Sequence, residues 1–401
     1  MKTSLKSSTF LNSILDNKFI AITVWIVAAL YGSLRVVLSG EINNYRVFKY
    51  VYIHLQEGVN LYIPYPTEYA DINLYGPSFS LLIGPFSYLP DNIACIAWAL
   101  FNAAVLALAI FQLPVSARWK NITLLLCAPE LMSTSSALQC NALVCACLLL
   151  AFSFIKKEKE QWALLFIMLP AFIKIYGLAG LAFFIFSKRK PAFILWAFVW
   201  GIVLFFAPLL ITNFHFLVQC YQDWIDGLRI KAAKNSLLGD ISIHQNISVP
   251  GMIRRIFQLE KLNDLLILII AGFLFASQYL KYRFAQNTAY QFYILASTLL
   301  FIILFSTGTE GSTYIIAMPG LILWYLLQPK NKWLIGFGIL AFLYTSFTMS
   351  DMFTPWMRNH ISKPYSTKAL FPFITWIIII IQIHKLQFLK TISLNPLLKQ
   401  V

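Results

Sequence analysis

Long apolar stretches alternate with short basic connectors along the whole 401-residue chain. The clearest apolar stretches are 19–38, 91–113, 191–213 and 369–384. Each approaches the ~20 residues with which a helix crosses a hydrocarbon core. Further stretches follow at 264–280, 289–306, 313–327 and 333–349. Because backbone groups in lipid must be satisfied internally, the pattern predicts an all-α polytopic membrane protein with about 10–12 transmembrane helices.

Two intervals between basic connectors are too short for two complete spans. Residues 161–187 provide only 27 residues for a path across the membrane and back. We therefore expect two short helices, 161–172 and 175–187, meeting near Lys174, and a similar pair at 120–130 and 137–155. Short helices at membrane depth are tolerated beside a protein-lined or watered cavity. The pairs predict a cavity that opens to the outer side.

Two outer segments, 39–75 and 214–263, are too long to be simple turns. The first contains "YRVFKYVYIHLQEG", in which Val47, Tyr50, Val51 and His54 share one helical face, typical of an amphipathic helix in the membrane interface. Long ordered loops usually carry function. We predict a single domain, 1–401, whose active-site face is formed by these two segments.

Composition and charge agree with this topology. Hydrophobic residues make up 59% of the chain, and the formal net charge is +15. Lysines and arginines cluster in the connectors and near both termini, as the positive-inside rule predicts, whereas most acidic residues fall on the opposite side. The basic charge therefore indicates an inner (plasma) membrane protein with cytoplasmic termini and an outer active site, and no nucleic-acid partner. The six cysteines lack metal-ligand spacing, and we expect free thiols.

Glu41 and Lys174 are the strongest candidates for chemistry. Glu41 ends the first span, where partial burial would raise its pKa and suit it to be a general base; alternatively, it is an ordinary loop residue. Lys174 lies within apolar sequence, where burying its charge costs several kcal/mol. It either meets a buried anion such as a phosphate or extends to the outer interface.

Three shorter motifs add polar candidates. Gln139 and Asn141 begin an apolar helix, where they cap it or bind a polar ligand. "HQNISVPGMIRR" brings together His244, Gln245, Asn246, Arg254 and Arg255. Paired arginines suit phosphate, but juxtamembrane arginines also contact lipid head groups. Finally, Glu310 in "GTEGSTY" either serves the site or belongs to a plain hairpin turn.

Taken in order, the motifs resemble those of GT-C superfamily membrane glycosyltransferases, most of all family 87, the DUF2029 group that includes polyprenyl-phosphate-mannose-dependent mannosyltransferases. They are "GEINNYRVFKY", "EGVNLY", "LYGPSFSLLIGPFSYLP", "LQCNALV", "AFIKIYG" and "HQNISVPGMIRR". The resemblance covers nearly the whole chain. The chain departs from the family pattern in having Glu41 in place of the usual Asp, and Glu310 without a histidine in the late outer loop.

The resemblance implies transfer of one sugar, a mannose-like hexose or pentose, from a polyprenyl-phosphate donor to a lipid-linked or cell-envelope glycan. It also implies inversion of configuration at the anomeric carbon, with Glu41 as the general base. The donor phosphate is expected to be held by Lys174, Arg254 and Arg255. The residues expected to bind sugar or acceptor are Asn44, Tyr75, Gln139, Asn141, His244, Gln245, Asn246 and Glu310. No nucleotide-binding loop or metal cluster stands out, so we predict neither cofactor nor metal, and membrane lipids as surroundings.

Two other functions share parts of this pattern. A lipid flippase or transporter also has many spans and an intramembrane lysine, but should show paired repeats and charges on both halves. An oligosaccharide polymerase or ligase shares the long outer loop and the lipid-phosphate donor, but would transfer a glycan block. The acidic residues on one face favour an enzyme that works from that side.

Overall fold

The computed structural model describes residues 12–238, 245–350 and 353–390. Within these ranges the regular secondary structure is entirely helical. The α-helices are α1 Lys18–Ser39, α2 Asn43–Glu57, α3 Phe79–Ser87, α4 Asp91–Gln112, α5 Ala117–Ser136, α6 Asn141–Lys156, α7 Glu160–Ile173, α8 Lys190–Phe206, α9 Phe214–Asn235, α10 Val249–Ile256, α11 Asp264–Ser277, α12 Thr288–Leu304, α13 Ala317–Leu327, α14 Lys332–Phe347 and α15 Leu370–His384. Short helical turns between residues 355 and 369 precede α15.

The predicted all-α membrane architecture is confirmed. Five helical segments of the described chain are long and apolar enough to cross a membrane: Lys18–Ser39, Asp91–Gln112, Lys190–Leu210, Asp264–Phe284 and Thr367–His384. Six shorter apolar helices of 10–17 residues accompany them. How many of these short helices complete a span stays a prediction.

Burial separates inner from outer helices. Helices α6, α12 and α13 are buried along almost their whole length. In the segments Lys190–Leu210 and Asp264–Phe284, by contrast, only 17% and 11% of the most apolar window is buried. Large apolar surfaces of this kind need a nonpolar environment. We infer that α8 and α11 face lipid around a core built from α6, α12 and α13.

The predicted break at Lys174 is confirmed. Helix α7 ends at Ile173, and Lys174 adopts an extended conformation with φ −148° and ψ 118°. A 3₁₀ helix, Ile175–Phe186, then continues the chain. In the other short pair, the first helix is longer than predicted, because α5 continues to Ser136.

The amphipathic helix predicted in the first outer segment is α2. Its inward face carries Tyr45, Val47, Phe48 and Val51, all buried, whereas Arg46 is exposed. Gly58, in a left-handed conformation with φ 68°, ends the helix. Of the four residues predicted for one face, Val47, Val51 and His54 are buried, whereas Tyr50 is half-buried. The prediction of free thiols is also confirmed, because all six cysteines are buried and unpaired with one another.

Candidate functional site

A cavity of about 880 Å³ lies between α2, α9, α11, the 3₁₀ helix Ile175–Phe186 and the loop that follows α12. This volume is in the range of small-molecule sites. The polar residues that line it are Asn44, Asp71, Tyr75, Gln139, Lys174, Tyr176, Lys231, Asn235, Ser236, Gln245, Asp264, Ser306, Thr307 and Glu310. Residues from both predicted active-site segments therefore meet at one cavity.

One side of the cavity is apolar. Ile175 and Leu178 of the 3₁₀ helix and Leu265 and Leu268 of α11 line it. These four side chains are also exposed on the outer surface, Leu265 by 63%. Because α11 faces lipid, this side forms an opening towards the hydrocarbon region. The cavity thus joins a polar chamber to an apolar passage.

Lys174 lies in the polar chamber, at the junction between α7 and the 3₁₀ helix. Its Nζ donates a hydrogen bond of 3.0 Å to Asn141 Oδ1. The same Nζ lies 5.8 Å from the ring centroid of Tyr75 and 5.0 Å from that of Tyr176. Neutral partners of this kind hold the ammonium group without cancelling its charge. Lys174 is therefore held in place and still able to attract an anion.

Tyr75 is fixed between the lysine break and α6. Its hydroxyl donates to Gln139 Oε1 at 2.5 Å, and the backbone N–H of Gly76 donates to Ile173 O at 3.1 Å. These bonds attach the segment before α3 to the end of α7. The close approach brings the Tyr75 ring beside Lys174.

Replacing Gly76 with alanine is expected to destabilise the protein by about 1–3 kcal/mol, since overpacking forces the backbone to shift. An added Cβ would lie 2.2 Å from the carbonyl oxygen of Phe172. Thermal unfolding of the purified protein in detergent measures the effect. Gly227→Ala is the control, because a Cβ at Gly227 meets no atom within 4 Å. Equal stability of both variants would contradict the expected clash.

Glu310 reaches the cavity from the loop between α12 and α13. Its backbone N–H donates a hydrogen bond to the Thr313 hydroxyl at 3.0 Å. Burial raises the pKa of the Glu310 carboxyl, the positive charges of Lys174 and Lys231 oppose this change, and Asp71 adds to it. Glu310 is thus a half-buried carboxylate on which the charges of two lysines act.

The Glu310 loop is held from several sides. The Nζ of Lys368, which precedes α15, donates to Gly311 O at 2.9 Å and forms an ion pair with Glu130 Oε1 at 3.0 Å. Thr134 Oγ1 donates to Ser312 O at 2.5 Å. The loop is therefore anchored to α5 and to the C-terminal part of the chain.

Residues 245–251 form a polar junction with the same loop. Ile247 N donates to Thr309 O at 2.8 Å, and the Tyr314 hydroxyl donates to Ile247 O at 2.9 Å. Asn246 Nδ2 donates to Asn235 O at 2.8 Å, and Asn235 Nδ2 donates to Thr307 O at 2.9 Å. Asn246 is buried by these contacts and does not line the cavity. Its contacts join the outer segment to the rim of the cavity.

The sequence model of glycosyltransferase family 87 matches residues 73–307, more than half of the chain. The chain belongs to glycosyltransferase family 87. A search among curated proteins found no match. The matched region includes Tyr75, Gln139 and Lys174, so the shared part of the family 87 chain supplies much of the cavity wall.

Several predicted site residues of this family 87 protein do line the cavity, and others lie next to it. The predicted residues in the lining are Asn44, Tyr75, Gln139, Lys174, Gln245 and Glu310. Asn141 lies directly behind Lys174 as its hydrogen-bond acceptor. His244 lies outside the described residues. Their roles in binding sugar or acceptor stay predictions.

Glu41 lies three residues before Asn44, which lines the cavity. It follows Gly40, whose left-handed conformation ends α1, and its backbone N–H donates to Val36 O at 3.2 Å. The side chain is exposed, and Glu41 is not among the residues that line the cavity. The carboxylates inside the chamber are therefore alternatives to Glu41 as the base.

The two predicted phosphate-binding arginines also lie outside the lining. Arg254 Nη2 forms an ion pair with Asp264 Oδ1 at 2.5 Å, and Arg255 Nη2 donates to Gln245 O at 2.7 Å. Both arginines therefore support residues that line the cavity. Breaking such a buried contact would also disturb the wall.

Lys231 and Asp71 line the cavity but did not stand out in the sequence. In α9 the lining residues Leu228, Lys231, Ala232 and Asn235 are spaced three and four positions apart. This helical spacing could have identified Lys231 from the sequence as a residue of the lining. Asp71 lies in an irregular segment, where no periodicity marks the side that faces the cavity.

Proposed function

We propose that this family 87 glycosyltransferase moves one sugar from a polyprenyl-phosphate donor to a lipid-linked or cell-envelope glycan at the outer face of the membrane. The support comes mainly from Lys174, which lies at the point where the polar chamber meets the apolar passage. A polyprenyl chain would occupy the passage beside α11, with its phosphate at the lysine. The family assignment supports sugar transfer.

The transfer would proceed in one displacement with inversion. The acceptor hydroxyl oxygen forms a bond to the anomeric carbon, while the bond from that carbon to the phosphate oxygen breaks. The polyprenyl phosphate leaves with the electron pair, and Lys174 stabilises its charge. The acceptor proton passes to a carboxylate that acts as general base.

Two carboxylates compete for the role of general base. The family resemblance favours Glu41, at the end of α1. The cavity favours Glu310, because its half-buried side chain lines the chamber and the charges of Lys174 and Lys231 act on it. We propose Glu310 as the base, with Glu41 as the alternative that the same experiment tests.

Replacing Lys174 with methionine is expected to lower sugar transfer by about 10²–10³-fold, the usual cost of removing one preorganised electrostatic contact to the transition state. The measurement uses purified protein in detergent, radiolabelled polyprenyl-phosphate sugars and a membrane-lipid extract. Lys234→Met is the control, because Lys234 is exposed on α9 and does not line the cavity. Unchanged transfer by Lys174→Met would show that this lysine does not hold the leaving phosphate.

The same preparation tests the proposed function itself. Transfer from a lipid-linked donor by the wild-type protein is the expected result. If no lipid donor supports transfer, and labelled polyprenyl phosphate instead crosses proteoliposome membranes, the protein acts as a flippase. Addition of a glycan block rather than one sugar would indicate a polymerase or ligase.

A further inference from the structure

The cavity contains a second lysine for which the proposed transfer mechanism has no role. Lys231 extends from α9 into the lining, one helical turn before Asn235. Within the described part of the chain, its ammonium group has no hydrogen bond, ion pair or ring contact. A partly buried cation without a partner is costly unless a ligand or water compensates it. Lys231 is therefore available to a ligand of the cavity.

Arg254 and Arg255 cannot easily supply a cationic contact to a ligand of the cavity. Arg254 is 2% exposed and paired with Asp264, and Arg255 is bonded to the backbone of Gln245. Moving either one into the chamber would break the ion pair with Asp264 or the hydrogen bond to the Gln245 carbonyl. Lys231 needs no such rearrangement, because it already lines the chamber.

The charges of the chamber suit a phosphate. Lys174 and Lys231 both line the chamber, and the positive charge of each acts on the half-buried carboxylate of Glu310. Lys174 has a neutral amide as its hydrogen-bond partner. The carboxylates of Glu310 and Asp71 also line the chamber. Within the described residues neither forms an ion pair with the two lysines, so both ammonium groups can bind a phosphate monoester. The apolar passage beside Leu265 and Leu268 suits the lipid attached to that phosphate.

We propose that Lys231 and Lys174 together bind one lipid phosphate monoester in this cavity, and that Lys231 replaces Arg254 and Arg255 as its second cationic contact. This inference rests on the proposed use of a polyprenyl-phosphate donor. It adds Lys231 as a residue that contacts the leaving phosphate. It also assigns the arginines to the support of the cavity wall.

Binding of farnesyl phosphate, compared with uncharged farnesol, tests the inference without any sugar transfer. The purified full-length protein in detergent is titrated with each probe, and affinity is followed by microscale thermophoresis. Lys231→Met is expected to weaken farnesyl phosphate binding about tenfold, the effect of losing one charge-assisted contact. Farnesol binding should stay unchanged, and Lys231→Arg should restore most of the affinity for farnesyl phosphate.

Lys234→Met is the matched control, since Lys234 lies in the same helix but outside the lining. Thermal unfolding of each variant shows whether it is folded. If folded Lys231→Met binds farnesyl phosphate as tightly as the wild type, the inference is overturned. The same conclusion follows if Lys231→Met weakens the binding of farnesol as much as the binding of farnesyl phosphate.

This experiment also separates the inference from the proposed function. Lysine-dependent binding of farnesyl phosphate by a protein that transfers no sugar would support the phosphate site and reject the transferase proposal. Sugar transfer from a polyprenyl-phosphate sugar, together with farnesyl phosphate binding that does not depend on Lys231, would support the transferase proposal and reject the role of Lys231.

Discussion

Replacing Glu310 with glutamine is expected to lower sugar transfer by about 10²–10⁴-fold, the usual contribution of a general base. The amide keeps the size of the side chain but cannot accept the acceptor proton. Glu41→Gln is expected to keep most of the activity, since Glu41 is exposed and does not line the cavity. The two variants remove the same type of group from two positions and are therefore matched.

The pH dependence gives an independent check. Burial raises the pKa of Glu310, although Lys174 and Lys231 oppose the change. A base must be ionised, so wild-type transfer should fall as the pH decreases through a pKa above the ordinary value of about 4.3 for glutamate. This acidic limb should disappear from the residual activity of Glu310→Gln. Rates measured across pH at saturating donor provide the test.

The opposite pattern would assign the role to Glu41. Loss of transfer in Glu41→Gln, with normal activity in Glu310→Gln, would show that Glu41 and not Glu310 is the base. Thermal unfolding of both proteins ensures that lost activity is not lost folding. Normal activity in both variants would exclude both carboxylates as the base.

Replacing Lys368 with methionine is expected to cost about 3–5 kcal/mol of stability, because it leaves a buried charge without its partner. The side chains of Lys368 and Glu130 are only 3% and 0% exposed, and their charged groups lie 3.0 Å apart. The double variant Lys368→Met with Glu130→Met removes both charges. It should recover much of the lost stability, as apolar replacement of buried ion pairs often does.

Unfolding of both variants by heat or denaturant, in detergent, measures these differences. Lys363→Met is a suitable control on the same stretch of chain, because Lys363 is not buried. A double variant as unstable as Lys368→Met would show that the contact to Gly311 O, and not the ion pair, dominates. A single variant as stable as the wild type would contradict the prediction altogether.

The break at Lys174 shows how far sequence reasoning reaches into this fold. The length of residues 161–187 excluded two complete spans, and the structure has two short helices there. The α helix predicted for the second is a 3₁₀ helix, which tight packing explains: a Cβ at Gly177 would lie 2.2 Å from the backbone of α7 at Ala171 N. That contact joins two segments through space, and no local pattern contains it.

Some residues of the candidate site were likewise predicted from the sequence, and others were not. Lys174, Tyr75 and Gln139 were predicted from short motifs, and the structure brings all three to one chamber. Lys231 was not predicted, although its helical spacing was available, because an isolated lysine in a polar outer segment resembles a solvated residue. Arg254 was predicted as a phosphate ligand, but its partner Asp264 lies in the next helix.

The sequence by itself determined the helical membrane class, the inner face of α2 and the position of the lysine break. These properties follow from hydrophobic period and segment length, which are local features of the chain. Only the tertiary structure decided which charged groups share the cavity. It brings Lys231, Lys174 and Glu310 from three separate parts of the chain to one chamber, and it pairs Arg254 with Asp264. Ion pairing and burial depend on distances between helices, and those distances arise only when the whole core has packed.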